Sequence, residues 1–363
     1  MAADLMATSA PELDGVWSEQ DTSPARIEEA LRRLLLEGQN DERAYAPARV
    51  CNLIVVVDRQ FRGEIANRLE RVGRYHPSRT VLCAVEPGRT TMDARAQMSC
   101  DTADAGGLAV AAEQIEIEIG PRHVKSLDTI VDPLIVADLT TIVWAPHGHE
   151  DAVDAVRRLI SVVLLDSAQQ LHAKEAIKRA ADLAEDAYIV DLAWLRSTPW
   201  RERIAATFDP RQWRPSLREI SAITVHARED SVVAGLLLLG WLSCRLGWEP
   251  SELIRRNGTF HGTAHARRQD IKLTLEAAPD LDVPGLASVE IETASGMKLS
   301  LGRGPGGLQA KRTLNDGRES KWVVLGASRG ESGILGEGIR QALLRDPTYQ
   351  PSLGCALTFL GEQ

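Results

Sequence analysis

The stretch that most constrains the fold is a buried strand-helix-strand pattern near the N-terminus. The run Val50–Val57 is almost continuously apolar, which is typical of a strand that is covered on both faces. Arg79–Val85 predicts a second strand, and apolar residues with helical spacing lie between the two strands. They are Phe61, Ile65, Leu69 and Val72. Because such units cross over between parallel strands, the pattern predicts an α/β fold around a mostly parallel, doubly wound sheet.

Further runs supply candidate strands for this sheet, which we expect to contain five or six mostly parallel strands. The added strands are predicted at Gln97–Cys100, Glu113–Ile119, Thr140–Ala145, Val162–Leu165 and Tyr188–Val190. Since Glu and Ile alternate in Glu113–Ile119, we expect that strand to be half-exposed and antiparallel. The loop Asp58–Gly63 is not G-x-G-x-x-G, so we predict a Rossmann-like domain without a dinucleotide fingerprint, and no cofactor.

The chain has 363 residues, which is long for one domain, and two domains are the natural expectation. We interpret 1–44 as an N-terminal leader, poorly ordered to residue 23, followed by a helix. The sheet domain is predicted at 45–209. Pro210 and Pro215 interrupt both helices and the hydrogen-bond ladder of a sheet, which indicates a linker at 210–215. Beyond it, strands joined by short turns predict a C-terminal α+β domain at 216–363.

Charge and hydropathy exclude several classes of protein. The net charge of −9 argues against binding to nucleic acid or to an anionic membrane. No stretch approaches the roughly 18 unbroken apolar residues of a spanning helix, and residues 1–24 lack the basic start of a signal peptide. We therefore expect a cytoplasmic protein. Its five cysteines include no C-x-x-C pair, and we interpret them as reduced and structural.

The stretch Pro146–Glu150 is the most metal-like cluster in the chain. Two His one residue apart and a Glu could ligate zinc, but a site needs three or four ligands and no fourth is apparent. No metal is therefore predicted. In the simpler interpretation Asp151 caps the following helix, and His147 and His149 face solvent.

A glycine-rich stretch near the C-terminus offers a possible anion site. Gly326–Gly333 follows a predicted strand and precedes a predicted helix, so its backbone N–H groups could cradle an anion. The candidate residues are Ser328, Arg329 and Gly330. The simpler interpretation is a strand-to-helix loop without a ligand.

The segment Tyr188–Asp209 concentrates tryptophan and arginine between a short strand and a helix. Its candidate site residues are Trp194, Arg196, Trp200 and Arg201. Trp and Arg are enriched at interface hot spots, so these residues could form a partner surface. They could equally be core tryptophans with arginines that are solvated or paired to Asp191. A second candidate contact is His76 with Arg79, where the alternative is a turn with one exposed His.

Three motifs carry a resemblance to a known family. Asp191–Arg201 is DLAWLRSTPWR, Val50–Val57 is followed by YHPSR at 75–79, and Thr141–Gly148 is TIVWAPHG. In this order they resemble the glucose-6-phosphate dehydrogenase assembly protein OpcA family of actinobacteria and cyanobacteria. The resemblance spans roughly residues 25–209, and the C-terminal part agrees more loosely.

The resemblance implies a function that the residues alone do not reveal. It implies a non-catalytic protein that binds glucose-6-phosphate dehydrogenase and promotes its assembly and activity in the oxidative pentose phosphate pathway. Nucleophile-elbow, H-E-x-x-H and kinase motifs are all absent from the sequence, which agrees with a protein that is not an enzyme. The alternative is a sugar-phosphate or nucleotide sensor, or an enzyme, that uses Gly326–Gly333 as its anion site.

Overall fold

A computed structural model describes residues 12–39, 49–73, 76–101, 110–169, 172–278, 281, 283–325 and 330–362. The chain folds into two compact units that divide between Leu164 and Leu165. The predicted linker 210–215 lies inside the second unit, where Arg214–Glu219 is a 3-10 helix that carries Pro215 in its first turn. A functional boundary at 210–215 stays a prediction.

The first unit is an α/β domain around one mixed sheet. Its strands are β1 (Glu12–Glu19), β2 (Cys51–Asp58), β3 (Ser78–Val85), β4 (Asp93–Asp101), β5 (Val110–Ile119), β6 (Thr140–Trp144) and β7 (Val162–Leu165). Its helices are α1 (Pro24–Gln39), α2 (Arg62–Gly73), α3 (Pro121–Val124), α4 (Leu127–Val131) and α5 (Glu150–Ala155). The strands lie in the order β1-β4-β5-β3-β2-β6-β7, with β5, β3, β2, β6 and β7 parallel. The predicted doubly wound, mostly parallel sheet is confirmed.

The apolar run of β2 explains its central place in this sheet. Its residues from Cys51 to Val57 are buried, so the strand is covered on both faces. Helix α2 packs its apolar stripe of Ile65, Leu69 and Val72 inward. Strand order reverses at β2, because β3 lies on one side of it and β6 on the other. The loops after β2 and β6 therefore meet at the switch point, where doubly wound folds usually bind ligands.

One expectation about the first unit is wrong, and another holds only in part. Glu12–Glu19 is a strand antiparallel to β4, although a poorly ordered leader was expected there. Its sequence is mostly polar, and its order comes from the ladder with β4. Strand β5 is parallel to β3 on one side and antiparallel to β4 on the other, so it is antiparallel only in part. Ile115 and Ile117 are buried, whereas the Glu residues that alternate with them are partly covered by arginines.

The second unit combines helices with a large mixed sheet, which agrees with the predicted α+β class. Its helices are α6 (Ala173–Leu183), α7 (Leu192–Arg196), α8 (Thr198–Phe208), α9 (Val232–Leu246), α10 (Gly330–Leu344) and α11 (Tyr349–Phe359). Its strands are β8 (Tyr188–Asp191), β9 (Ile220–Ala227), β10 (Glu249–Pro250), β11 (Ile254–Arg256), β12 (Thr259–His265), β13 (Asp270–Ala277), β14 (Leu286–Thr293), β15 (Lys298–Gly304), β16 (Gly307–Thr313) and β17 (Glu319–Leu325). The sheet order is β10-β12-β13-β9-β14-β15-β16-β17, and β11 pairs with β12.

Helix α9 is apolar on most of its circumference because it is covered on several sides. It packs on α11 and on the sheet at β9 and β13. Gly240 lets α11 approach, since a Cβ there would lie 2.3 Å from the carbonyl oxygen of Ser352. Gly247, with φ 67°, ends the helix. Among the described residues, no helix is both long enough and apolar enough to cross a membrane.

Candidate functional site

The segment that joins β8 to α8 is the center of a buried cluster in the second unit. Asp191 caps α7 by accepting a hydrogen bond from the backbone N–H of Ala193 at 3.0 Å. After α7, Ser197 occupies the N-cap position of α8, and Pro199 lies in the first turn. Trp200, Ile204 and Phe208, spaced four residues apart, share a buried face of α8.

Trp194 lies at the middle of this cluster, with only 2% of its surface exposed. Its indole Nε1–H donates to Oδ2 of Asp346 at 2.9 Å. Its ring meets the ring of Tyr349 edge-on, with 5.6 Å between centroids. A buried indole needs a partner for its N–H, and Asp346 supplies one. Trp194 therefore acts as an internal anchor for the chain between α10 and α11.

Arg201 covers the other face of Trp194. Its guanidinium carbon lies 3.5 Å from the indole centroid, and its Nη1 lies 3.6 Å from Oδ2 of Asp346. Its Nε donates to Oγ of Ser197 at 3.2 Å, and its Nη2 donates to Oγ1 of Thr198 at 2.9 Å. Burial lowers the pKa of Arg201 to about 10, against the favourable charge of Asp346. The side chain is thus fully engaged inside the protein.

Asp346 is the hub that receives these groups. Its Oδ1 also accepts hydrogen bonds from the N–H and Oγ1 of Thr348, at 2.8 and 2.6 Å. Tyr188 donates its phenol O–H to the carbonyl of Asp346 at 3.3 Å. Burial by itself raises the pKa of Asp346, but the bonds from Thr348 and Trp194 and the charge of Arg201 outweigh it, and the pKa is lowered. We call Tyr188, Trp194, Arg201, Asp346 and Tyr349 the Trp194 cluster.

Arg196 is likewise paired inside the second unit. Its Nη1 and Nη2 donate to the two carboxylate oxygens of Asp166 at 2.9 and 2.7 Å, a fork geometry that fixes both groups. The sequence suggested Asp191 as the internal partner of these arginines, which is wrong, because Arg196 pairs with Asp166 and Arg201 with Asp346. Trp194, Trp200 and Arg201 are buried, so the structure does not present them as an open contact surface. Partner contact through them stays a prediction.

Asp191 has a second role beneath the Trp194 cluster. It is 1% exposed and accepts from Oγ of Ser167 at 2.6 Å, from the N–H of Ser167 at 3.1 Å and from the phenol of Tyr349 at 3.2 Å. Burial raises its pKa to about 6, although the hydrogen bonds from Ser167 and Ala193 oppose the rise. The carboxyl group therefore titrates at mildly acidic pH rather than near its ordinary value of 3.8.

We expect Asp191 to make the folded state less stable as pH rises from about 4 to about 7. Its pKa is higher in the folded than in the unfolded chain, so folding binds a proton in this window and its contribution is lost as pH rises. The shift corresponds to about 3 kcal/mol. In denaturant unfolding, the free energy of unfolding of Asp191→Asn minus that of the parent should rise as pH rises across this window. A difference that is flat with pH would contradict the assignment.

His76 and Arg79 belong to the first unit. Arg79 donates from Nε to Oε2 of Glu113 at 2.7 Å and from Nη1 to the carbonyl of Leu134 at 3.1 Å. Arg49 binds the other oxygen of the same buried carboxylate. Arg79 is therefore an internal ion-pair partner, whereas His76 is half-buried at the start of the turn into β3. Tyr75, the neighbour in the same motif, lies outside the described residues.

The switch point of the first unit is filled by its own side chains. His149, with φ 55°, places Nε2 3.0 Å from Oδ1 of Asp58, and the ring of His147 stacks on Phe61 with 4.0 Å between centroids. Burial lowers the pKa of His147. Both His side chains are packed against other residues, although we expected them to face solvent. Asp151 lies within α5, so it is not the predicted cap.

Ion pairs link the loops beside the switch point, at the same edge of the sheet. Arg59 donates to Glu86 at 2.6 Å, and Arg89 contacts Glu86 and Glu118, each at 2.7 Å. The Asp58–Gly63 turn forms a 3-10 helix and the start of α2. The backbone therefore presents no glycine-rich cradle for a pyrophosphate at this edge. Within the described part of the chain, no group of three or more His, Cys, Asp or Glu is placed to hold a metal ion.

The predicted anion site falls largely outside the structure. Ser328 and Arg329 lie outside the described residues, and Gly330 is the first residue of α10. Anion binding there stays a prediction. Of the cysteines, Cys51 and Cys83 are buried free thiols, and burial raises their pKa to about 11 and about 12. These two therefore behave as small apolar residues, as expected.

Comparisons with known proteins identify relatives of this chain. A model described as the glucose-6-phosphate dehydrogenase subunit N-terminal domain matches residues 69–185, and one described as the C-terminal domain of that subunit matches residues 187–353. A protein of Synechococcus elongatus, provisionally named OxPP cycle protein OpcA, is 24% identical over 201 residues, which are 54% of this chain and 45% of that protein. Its counterpart in Nostoc punctiforme is 25% identical over 183 residues, 48% of this chain and 39% of that protein. The chain thus aligns with less than half the length of these relatives.

Among solved structures, the chain is similar to apo scyllo-inositol dehydrogenase from Lactobacillus casei. The identity is 12%, the TM-score is 0.46, and the match covers 87% of this chain and 96% of that chain. With a TM-score below 0.5, this similarity carries no argument about chemistry.

Proposed function

Since this chain belongs to the glucose-6-phosphate dehydrogenase assembly protein OpcA family, we propose that it is a non-catalytic cytoplasmic partner that binds glucose-6-phosphate dehydrogenase and promotes its assembly and activity. One observation carries the proposal. The two family models, both described as domains of a glucose-6-phosphate dehydrogenase subunit, match adjoining segments at 69–185 and 187–353. Together they account for most of the chain.

The absence of catalysis is supported by what fills the switch point. Asp58 pairs with His149 and Phe61 stacks on His147 across the loops after β2 and β6, and Arg59 and Arg89 are held by carboxylates. A dinucleotide needs a close backbone approach at this edge, which glycines normally permit. An arrangement of side chains that already pair with one another suits a structural role better than hydride transfer.

The physical mechanism in this proposal is a shift of population. A partner that binds the active form of the dehydrogenase more tightly than the inactive form raises the active fraction, and a tenfold preference corresponds to about 1.4 kcal/mol. Trp194, Arg196, Trp200 and Arg201 act indirectly here. Trp194 and Arg201 tie α7 and α8 to Asp346, and Arg196 ties α7 to Asp166, so these contacts set the shape of the surface that the second unit presents.

The proposal is tested with purified proteins. The chain is mixed with glucose-6-phosphate dehydrogenase from the same organism, and complex formation and NADP reduction are measured at fixed enzyme concentration. We expect co-elution, a rise in dehydrogenase activity that saturates with the added chain, and no NADP reduction by the chain alone. An unrelated protein of similar net charge is the control. Lack of binding, or NADP reduction by the chain without the dehydrogenase, would contradict the proposal.

A further inference from the structure

A large groove opens in the second unit beside α8 and α9. Its volume is about 1080 Å³, and it is bounded by α8, the 3-10 helix Arg214–Glu219, the C-terminal half of α9 and the turn between β12 and β13. Its apolar side is formed by Ile204, Phe208, Trp241, Leu242 and Trp248. Trp241 is half-buried, so part of its ring faces the groove. We call this feature the Trp241 groove.

The rim of the Trp241 groove is rich in arginine. The five arginines that line it are all exposed: Arg214, Arg218, Arg245, Arg267 and Arg268. Arg214 pairs with Asp209 at 2.9 Å. Among the described residues, the other four make no ion pair.

Not every exposed arginine in this unit is free. The exposed Arg318 and Arg340 and the half-buried Arg228 each bind a carboxylate close by in sequence, at Asp316, Glu337 and Asp230. The carboxylates that line the groove are already engaged, since Asp209 binds Arg214 and Glu219 accepts from Oγ of Ser295 at 2.6 Å. The chain as a whole carries a net charge of −9, so the groove is a local reversal of sign. Such a patch attracts and orients an acidic partner.

The chemistry of the groove selects between kinds of anion. A small phosphate ester binds best where donors converge, usually with a helix N-terminus or a glycine-rich loop. Here the free guanidinium groups come from three separate segments and surround an aromatic surface. The groove is also slightly larger than the pockets typical for small ligands, about 300–1,000 Å³. Aromatic anchors within a charged rim are typical of protein interfaces.

We propose that the Trp241 groove receives an acidic segment of the dehydrogenase. An aliphatic or aromatic side chain of that segment packs on the exposed part of Trp241, and flanking carboxylates pair with Arg218, Arg245 and Arg267. This inference rests on the proposed function and adds the site of contact to it. Because the arginines are exposed, their main effect is on the rate and salt dependence of association, whereas the apolar anchor governs dissociation.

The test uses the full-length chain with Arg218→Glu, Arg245→Glu and Arg267→Glu combined. The matched control is Arg256→Glu, since Arg256 is also exposed and does not line the groove. Binding to the dehydrogenase is measured by surface plasmon resonance at several salt concentrations. We expect the triple variant to bind the dehydrogenase at least about 30-fold more weakly at low salt. Its affinity should also depend less on salt concentration than that of the parent. The control and the parent should bind alike, and all three proteins should share one melting temperature.

Three results would overturn the inference. If the parent and the triple variant bind the dehydrogenase equally, the proposed function stands and the groove is not the contact. If the parent does not bind the dehydrogenase, the proposed function fails, and this inference fails with it. In a parallel calorimetric titration, glucose 6-phosphate, NADP⁺ and inorganic phosphate are added to both proteins. Binding of any of them to the parent but not to the triple variant makes the groove a small-anion site instead.

Discussion

Replacing Trp194 with alanine is expected to lower the free energy of unfolding by about 3–5 kcal/mol, the range found for large aromatic residues removed from cores. Trp194 is 2% exposed, contacts the ring of Tyr349 and lies under the guanidinium of Arg201. Its loss leaves a cavity and also removes the N–H that binds Asp346. Denaturant unfolding measured by circular dichroism gives the value directly.

Trp194→Phe is the matched control for this result. It keeps an aromatic ring in the cluster but removes the Nε1–H donor to Asp346. The expected loss is smaller, about 1–3 kcal/mol, which is the cost of leaving a buried polar group without its partner. A Trp194→Ala protein that is as stable as the parent, yet fails to bind the dehydrogenase, would show that Trp194 is a contact residue and that the buried arrangement is not the one that prevails in solution.

Replacing Arg201 with alanine is expected to cost about 3 kcal/mol or more, because removing one partner of a buried ion pair strands the other charge. Asp346 would keep its bonds from Thr348 and Trp194 but lose the cation that faces it at 3.6 Å. Ser197 and Thr198 would lose a donor as well. We therefore expect a lower melting temperature, and any loss of dehydrogenase binding should follow the loss of fold.

Arg211→Ala separates a specific effect from a general one, because Arg211 is exposed and makes no ion pair among the described residues. Its stability should change by less than about 0.5 kcal/mol. The double variant Arg201→Ala, Asp346→Asn should recover part of the stability lost in Arg201→Ala, since it removes the stranded charge. If Arg201→Ala has the same melting temperature as the parent, the ion pair contributes nothing to stability and the side chain is free to serve as a contact.

Local patterns were sufficient to predict the sheet of the first unit. The apolar run of β2, the helical spacing on α2 and the next strand depend only on neighbours in the chain, because a strand buried on both faces and an amphipathic helix each leave a periodic trace in sequence. The missing glycine fingerprint after β2 was equally visible. Strand β1 left no such trace, because its polar residues are ordered by a ladder with β4.

The site residues show where a pattern stops being sufficient. Trp and Arg are the residue types of both buried cation–π clusters and interface hot spots, so composition does not distinguish the two. The partner of Trp194 is Asp346, which lies 152 residues further along the chain. Only the tertiary structure brings these groups together.

The sequence by itself determined the α/β class of the first unit, the family resemblance and the lack of a nucleotide-binding glycine loop, because each is written in consecutive residues. Tertiary structure decided which arginines are paired and which are free. Arg196 and Arg201 are held by Asp166 and Asp346, whereas Arg218, Arg245 and Arg267 surround the Trp241 groove without carboxylate partners among the described residues. The physical reason is that an ion pair depends on the distance between two charges, which folding sets and sequence order does not.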